Sequence, residues 1–128
     1  MKVKYTLDFR GFTSSLDVSV GERMRRSVRM LCAEAKRLCP ERTGALKKSL
    51  TWEVAPGGRK GWYGSNRPWR GEPSLEYAIY QEIGFRHWRS GKFIPGKAYL
   101  RTPLNTKRPE LQKIWGGFRL GARGVFEV

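Results

Sequence analysis

The sequence predicts an α+β domain, and three observations carry that prediction. Apolar and polar residues alternate with period two from Lys2 to Phe9. An apolar stripe at helical spacing runs from Val20 to Leu38. Clusters of glycine and proline then mark turns and two long loops between further short elements. The 128 residues, 39% of them hydrophobic, are expected to form one domain spanning 1–128, without an internal repeat or linker.

The first strand is expected to be half-buried, with Val3, Tyr5, Leu7 and Phe9 on one face and Gly11 ending it. Residues 13–20 read either as a loop or as a short helical turn. Val20, Met24, Val28, Leu31, Ala35 and Leu38 then follow at spacings of three and four, with Arg23, Arg25, Arg26, Arg29, Lys36 and Arg37 around the rest of the helix. Pro40 stops it, because the residue before a proline is pushed out of the helical region. In "CPERTGALKKSL", Thr43 can cap a short second helix, Gly44 permits a tight turn, and Leu46 and Leu50 fall on one face. Leu50, Trp52 and Val54 alternate into a strand. Pro56-Gly57-Gly58 reads as the turn to a second strand near Arg59 to Tyr63.

An extended loop is expected to follow, and then a short helix in "SLEYAIYQEIG". Ser74 would cap it, Leu75, Ala78, Ile79 and Ile83 would share a face, and Gly84 would end it. The segment "FRHWRSGKFIPGK" reads as a second long loop with a strand near its end. In the last helix Pro109 suits the first turn, and Leu111, Ile114, Trp115 and Phe118 are helically spaced. Gly116, Gly117 and Gly121 are expected to weaken that helix and the tail after it.

Lys plus Arg number 26 against 11 Asp plus Glu, a formal net charge of +15. Such an excess favours polyanionic partners, either nucleic acid or an acidic protein surface. It also fits a chain whose charge keeps it soluble or neutralises an acidic neighbour. Cys32 and Cys39, seven residues apart, would sit about 10 Å apart along one helix, too far for a disulfide. Both read as small buried hydrophobes. With one histidine, His87, they make no convincing zinc site. There is no run of 18 apolar residues and no apolar stretch of signal-peptide length, so a cytoplasmic protein without membrane contact is expected.

No catalytic constellation, cofactor site or metal site is legible. Glu76 and Glu82 lie six apart on a short helix and point in different directions. The glycines around Gly57 and Gly64 do not form a phosphate-binding loop. An enzyme is therefore not expected. A small toxin or nuclease acting through His87 or Glu82 is the weakest of three readings.

The loops hold the notable chemistry. Trp62, Tyr63, Trp69, Phe85, Trp88, Phe93 and Tyr99 lie in or beside them, among Arg59, Lys60, Arg67, Arg70, Arg86, Arg89 and Lys92. Long loops in a small domain usually have a use. Tryptophan, tyrosine and arginine dominate protein contacts. The same mixture suits single-stranded nucleic acid, and the rings can also fold back onto the core.

Three segments resemble one family. "CPERTGALKKSL" is similar to a Pro-x-x-Thr-Gly-x-Leu-x-x-Ser signature through Pro40, Thr43, Gly44, Leu46 and Ser49. "YAIYQEIGF" resembles a second signature through Tyr77, Ala78, Glu82 and Gly84. "IPGKAYLRTPL" resembles a closing block through Pro95, Tyr99, Leu100, Arg101 and Pro103. The family is that of the neck or tail-completion proteins of long-tailed bacteriophages, and the resemblance spans roughly residues 20–105. Phe85, Tyr99 and Thr102 depart from its usual residues, and the aromatic insert from Trp62 to Arg70 is particular to this chain.

The resemblance implies a small, mostly antiparallel sheet packed against one long helix and two or three shorter ones, with long loops. It implies a homo-oligomeric ring, commonly of six or twelve copies, at the head–tail junction of the virion. The ring would join head connector to tail tube, with phage DNA passing through the lumen and assembly in the host cytoplasm. It implies no catalytic residues. Arg59, Lys60, Trp62, Tyr63, Trp69, Arg70, Phe85, Trp88, Arg89 and Phe93 are the expected ring contacts. The alternative is a basic accessory protein that binds nucleic acid through its aromatic-arginine loops.

Overall fold

The alternation from Lys2 to Phe9 and the stripe from Val20 to Leu38 meet in one core. The structure, a computed structural model, describes residues 2–9, 17–39, 45–65, 82–116 and 120–127. In chain order its elements are β1 (Lys2–Phe9), α1 (Asp17–Leu38), α2 (Ala45–Ser49), β2 (Thr51–Val54), β3 (Lys60–Ser65), β4 (Phe85–Arg86), β5 (Phe93–Ile94), α3 (Thr102–Thr106), α4 (Arg108–Trp115) and β6 (Leu120–Glu127). This is an α+β fold with a four-stranded sheet of order β2-β3-β1-β6 and a separate two-stranded β4-β5 unit. Every pairing is antiparallel.

β1 is a central strand because one of its faces is apolar. Leu7 and Phe9 are buried, and half-buried Tyr5 packs beside them. Leu7 stands opposite Gly61 on β3 and Ala122 on β6. Lys4, Thr6 and Asp8 occupy the other face, where Thr6 pairs with Trp62 and Arg123.

α1 covers β2 and β3 with the predicted stripe. Val20, Met24, Val28, Leu31 and Ala35 are buried, Ser27 and Cys32 join them, and Leu38 packs at the edge. Each large apolar side chain contributes roughly 1.5–3 kcal/mol on leaving water. The helix begins at Asp17, so the end of the ambiguous segment is helical. Cys32 and Cys39 are buried free thiols. Gly61 sets how closely helix and sheet approach: a Cβ there would lie 2.9 Å from Met24 Cγ and 3.0 Å from Val28 Cγ1.

The predicted hairpin is present. The Gly58 N–H donates to the Ala55 carbonyl, and the Ala55 N–H donates to the Lys60 carbonyl. β3 contains Trp62 and Tyr63, as the strand expected near Arg59 to Tyr63 does, and runs two residues further, to Ser65.

Pro109 does lie in the first turn of α4. Trp115 closes that helix against the core, its ring stacked on Phe9 with centroids 5.4 Å apart. Its Nε1–H donates to Ser27 Oγ at 2.8 Å, and the Ser27 hydroxyl donates to the Arg23 carbonyl. Arg23 Nη1 returns to the Ile114 carbonyl at 3.0 Å. These bonds satisfy buried polar groups and fix α4 on α1.

Three expectations are corrected. The tail is not weakened by its glycines: Leu120–Glu127 forms β6 and pairs along the full length of β1. Ladder hydrogen bonds need no side chain, so Gly121 and Gly124 are accommodated opposite Asp8 and Tyr5. The second long loop is a hairpin, β4-β5. Ile83, expected on a shared apolar face, is 53% exposed.

Gly11, residues 13–16, Pro40, Thr43, Gly44, Arg67, Trp69, Arg70, Ser74, Leu75, Glu76, Tyr77, Ala78, Ile79 and Phe118 lie outside the described residues, as does the side chain of Leu46. Among the described residues no helix is long and apolar enough to cross a membrane.

Gly61→Val is expected to destabilise the protein by about 1–3 kcal/mol, because the added isopropyl group overfills the seam against Met24 and Val28. Urea unfolding monitored by circular dichroism measures it.

Candidate functional site

β4 and β5 form an arm. Phe85 pairs with Ile94 and Arg86 with Phe93, so each pair shares one face. The turn between them is densely hydrogen-bonded. The His87 N–H donates to the Lys92 carbonyl at 2.8 Å, and the Gly91 N–H donates to the His87 carbonyl at 2.9 Å. Arg86 Nη1 donates to the Gly91 carbonyl at 2.7 Å. His87 Nδ1 accepts from the Arg89 and Ser90 N–H groups, both at 3.3 Å, which leaves the ring's N–H on Nε2. Ser90 Oγ accepts from the Lys92 N–H. Gly91 supplies the positive φ, 68°, that this turn requires.

The base of the arm is clasped to the core by Glu82. This carboxylate is 4% exposed. Its Oε2 accepts from the Leu100 N–H at 2.8 Å and its Oε1 from the Arg101 N–H at 3.0 Å. The Glu82 carbonyl also accepts from the Ala98 N–H at 3.2 Å. Tyr63, fully buried on β3, donates its hydroxyl to the Leu100 carbonyl. Outgoing and returning chains cross at two glycines. A Cβ on Gly84 (φ 88°) would lie 2.6 Å from the Ile94 carbonyl oxygen, and one on Gly96 would lie 2.5 Å from the Glu82 carbonyl oxygen. Both clashes are with backbone, so no larger residue fits either position without moving the arm.

Burial pushes the Glu82 carboxyl above its usual range, against the opposing pull of the Leu100 and Arg101 amides and the Arg101 charge. Burial likewise raises the hydroxyls of Tyr63 and Tyr99 well above the ordinary tyrosine range. Both stay neutral in the working pH range.

The arm displays what the core excludes. Trp88 is 80% exposed and Phe93 58%, and with Ile83 and Ile94 they are the exposed large hydrophobics of the described residues. All four lie between 83 and 94. Arg86, Arg89 and Lys92 are exposed among them. The Arg89 guanidinium lies 4.5 Å from the centre of the Trp88 ring, and the His87 ring is stacked near it. From Phe85 to Pro109 the sequence holds seven Lys and Arg and no Asp or Glu.

The expected contact residues divide. Phe85, Trp88, Arg89 and Phe93 gather on the arm. Tyr63 does not belong to a contact surface: it is a core residue, stacked on Tyr5. Tyr99, counted among the loop aromatics, is also fully buried. Trp62 is half-buried on the open face of the sheet, with Lys4 Nζ 5.0 Å from its ring centre. Lys60 is exposed opposite Asp8, and Arg59 lies over Phe9. Of the family signatures, Glu82, Gly84 and Tyr99 come together at the clasp, Pro103 is buried at the start of α3, and Pro95 is exposed just after β5.

Sequence reasoning missed the role of Glu82 because it looked for a side-chain partner. An acid in an apolar stripe just before a glycine was the available signal. Among the described residues no three His, Cys, Asp or Glu side chains come together as a metal site.

No protein family, curated protein or solved structure matches this chain. The assignment of the arm to a function therefore rests on its own chemistry and on the three sequence signatures.

The raised Glu82 pKa has a signed consequence. The native state holds this proton more tightly than the unfolded chain does. The contribution of Glu82 to stability is therefore largest below its ordinary pKa of 4.5 and falls as pH rises towards the elevated native value. In urea titrations from acid to neutral pH, the stability of wild type relative to Glu82→Gln is expected to decline through that window. Glu82→Ala leaves the buried Leu100 N–H without an acceptor, costing about 1–3 kcal/mol, and the part-buried Arg101 N–H as well, and is expected to be the less stable variant throughout.

Proposed function

We propose that this chain is a structural subunit of the head–tail junction of a tailed bacteriophage. Copies close into a ring around the DNA channel, and the arm of each subunit reaches a neighbouring subunit or the adjoining ring of connector or tail tube. The observation that carries this reading is the exposure of Ile83, Phe93 and Ile94 at the root and shaft of an arm whose base is fixed to the core. Exposed apolar groups held in one place mark an interaction surface. An arm leaving one subunit for a different surface on the next makes a heterologous contact, the kind that rotation closes into a ring.

The second and third signatures support the same reading, since their described residues fall where they shape the arm. Glu82 and Gly84 fix its outgoing chain, and Tyr99, Leu100 and Arg101 fix its return. No enzymatic step is proposed. Glu82 and His87 are both engaged with backbone N–H groups rather than aimed into a cleft.

In a phage that encodes this protein, deleting it is expected to yield separate heads and tails by electron microscopy. Ile83→Asp combined with Ile94→Asp is expected to reproduce that defect while the purified subunit keeps its circular dichroism spectrum. Normal infectious particles from either mutant would contradict the reading.

A further inference from the structure

The tip of the arm differs in kind from its root. Trp88 is the most exposed of the large hydrophobics, and no aliphatic residue lies within the turn around it: its neighbours in the turn are His87, Arg89, Ser90, Gly91 and Lys92. A tryptophan that anchors a protein contact typically sits within groups that exclude water from it. Here the surround is cationic and hydrogen-bonding. Arg89 lies against the indole, and Arg86, Arg89 and Lys92 are exposed in a stretch, Phe85 to Pro109, without Asp or Glu.

We infer that the tip, residues 86–92, is a binding site for single-stranded nucleic acid. An unpaired base stacks on Trp88, and Arg89 and Lys92 meet the flanking phosphates. An exposed aromatic platform bordered by cations is the usual means of holding a strand without reading its sequence. A duplex hides its base faces, so it gains only from the charge and nothing from the indole. The hydrogen bonds within the turn support the assignment. Arg86 to Gly91 and His87 Nδ1 to Arg89 and Ser90 hold the turn in shape before any ligand arrives, which limits the ordering cost of binding. The wider charge of +15 draws the polyanion in, and the platform selects the unpaired strand. This inference stands without the ring: a subunit that never assembles presents the same tip.

Fluorescence anisotropy of the full-length protein with a labelled oligothymidylate about 20 nucleotides long, and with a duplex of equal length, tests it across roughly 50–200 mM salt. Trp88→Ala is expected to weaken oligothymidylate binding roughly fivefold to a hundredfold, the range for loss of one stacked base, while leaving duplex binding nearly unchanged. Trp88→Phe should retain most of the affinity. Arg89→Ala should weaken binding and reduce the slope of log affinity against log salt by about 0.7. Lys48→Ala, an exposed cation on α2, should do far less to affinity.

If Trp88→Ala and Arg89→Ala bind as Lys48→Ala does, attraction is spread over the whole surface and the inference is overturned. Absence of oligothymidylate binding at the lowest salt also overturns it. So would a Trp88→Ala phage that fails to join heads to tails while the purified variant binds the strand normally, since the tip would then be a protein contact. Circular dichroism of each variant separates these results from misfolding, which is not expected at a residue 80% exposed.

Discussion

A single buried carboxylate holds the arm to the rest of the molecule. Placing Glu82 out of water is unfavourable, and the N–H groups of Leu100 and Arg101 offset that cost by donating to its two oxygens. The Leu100 carbonyl is taken in turn by Tyr63 from the centre of the sheet. One residue pair therefore joins the chain entering the arm, the chain leaving it and strand β3. A hairpin with only two paired positions per strand is too short to hold its shape alone. Its form depends on this clasp below and on the hydrogen-bonded turn above.

The arm above the clasp has two chemistries. Near the crossing of Gly84 and Gly96 the exposed large hydrophobics are Ile83, Ile94 and Phe93, with Lys97 exposed beside them. At the tip the exposed groups are an indole and three cations. Copies of a +15 chain repel one another. In the proposed ring, contacts between copies would be made through the apolar root, with the cationic tip turned towards an anion. A subunit of that kind would suit the proposed conduit through which nucleic acid passes.

Much of this fold was legible in the sequence wherever burial on one side imposes a period. β1, α1 and the β2–β3 hairpin were readable for that reason, and so were the two buried thiols. β6 was not, because Gly121 and Gly124 have no strand propensity and the strand is held by its backbone ladder with β1. The arm was not, because two-residue strands are shorter than any window in which alternation can be seen. Tyr63 and Tyr99 were grouped with the aromatics in or beside the loops because glycine and proline surround them in sequence; β3 and the clasp carry them into the core, the alternative in which rings fold back. Glu82 was the hardest, since its partners are backbone amides eighteen and nineteen residues away and leave no side-chain pattern. Trp88 and Arg89 were singled out by residue type alone, and the structure places both exposed on the arm.

Amide hydrogen exchange of the isolated subunit tests the clasp most directly. The Leu100 and Arg101 amides should exchange as slowly as those of β1 and β3, and replacing Glu82 by alanine should bring them close to the rate of an unprotected amide. Rapid exchange at Leu100 and Arg101 in the wild-type subunit would contradict an arm anchored by that carboxylate.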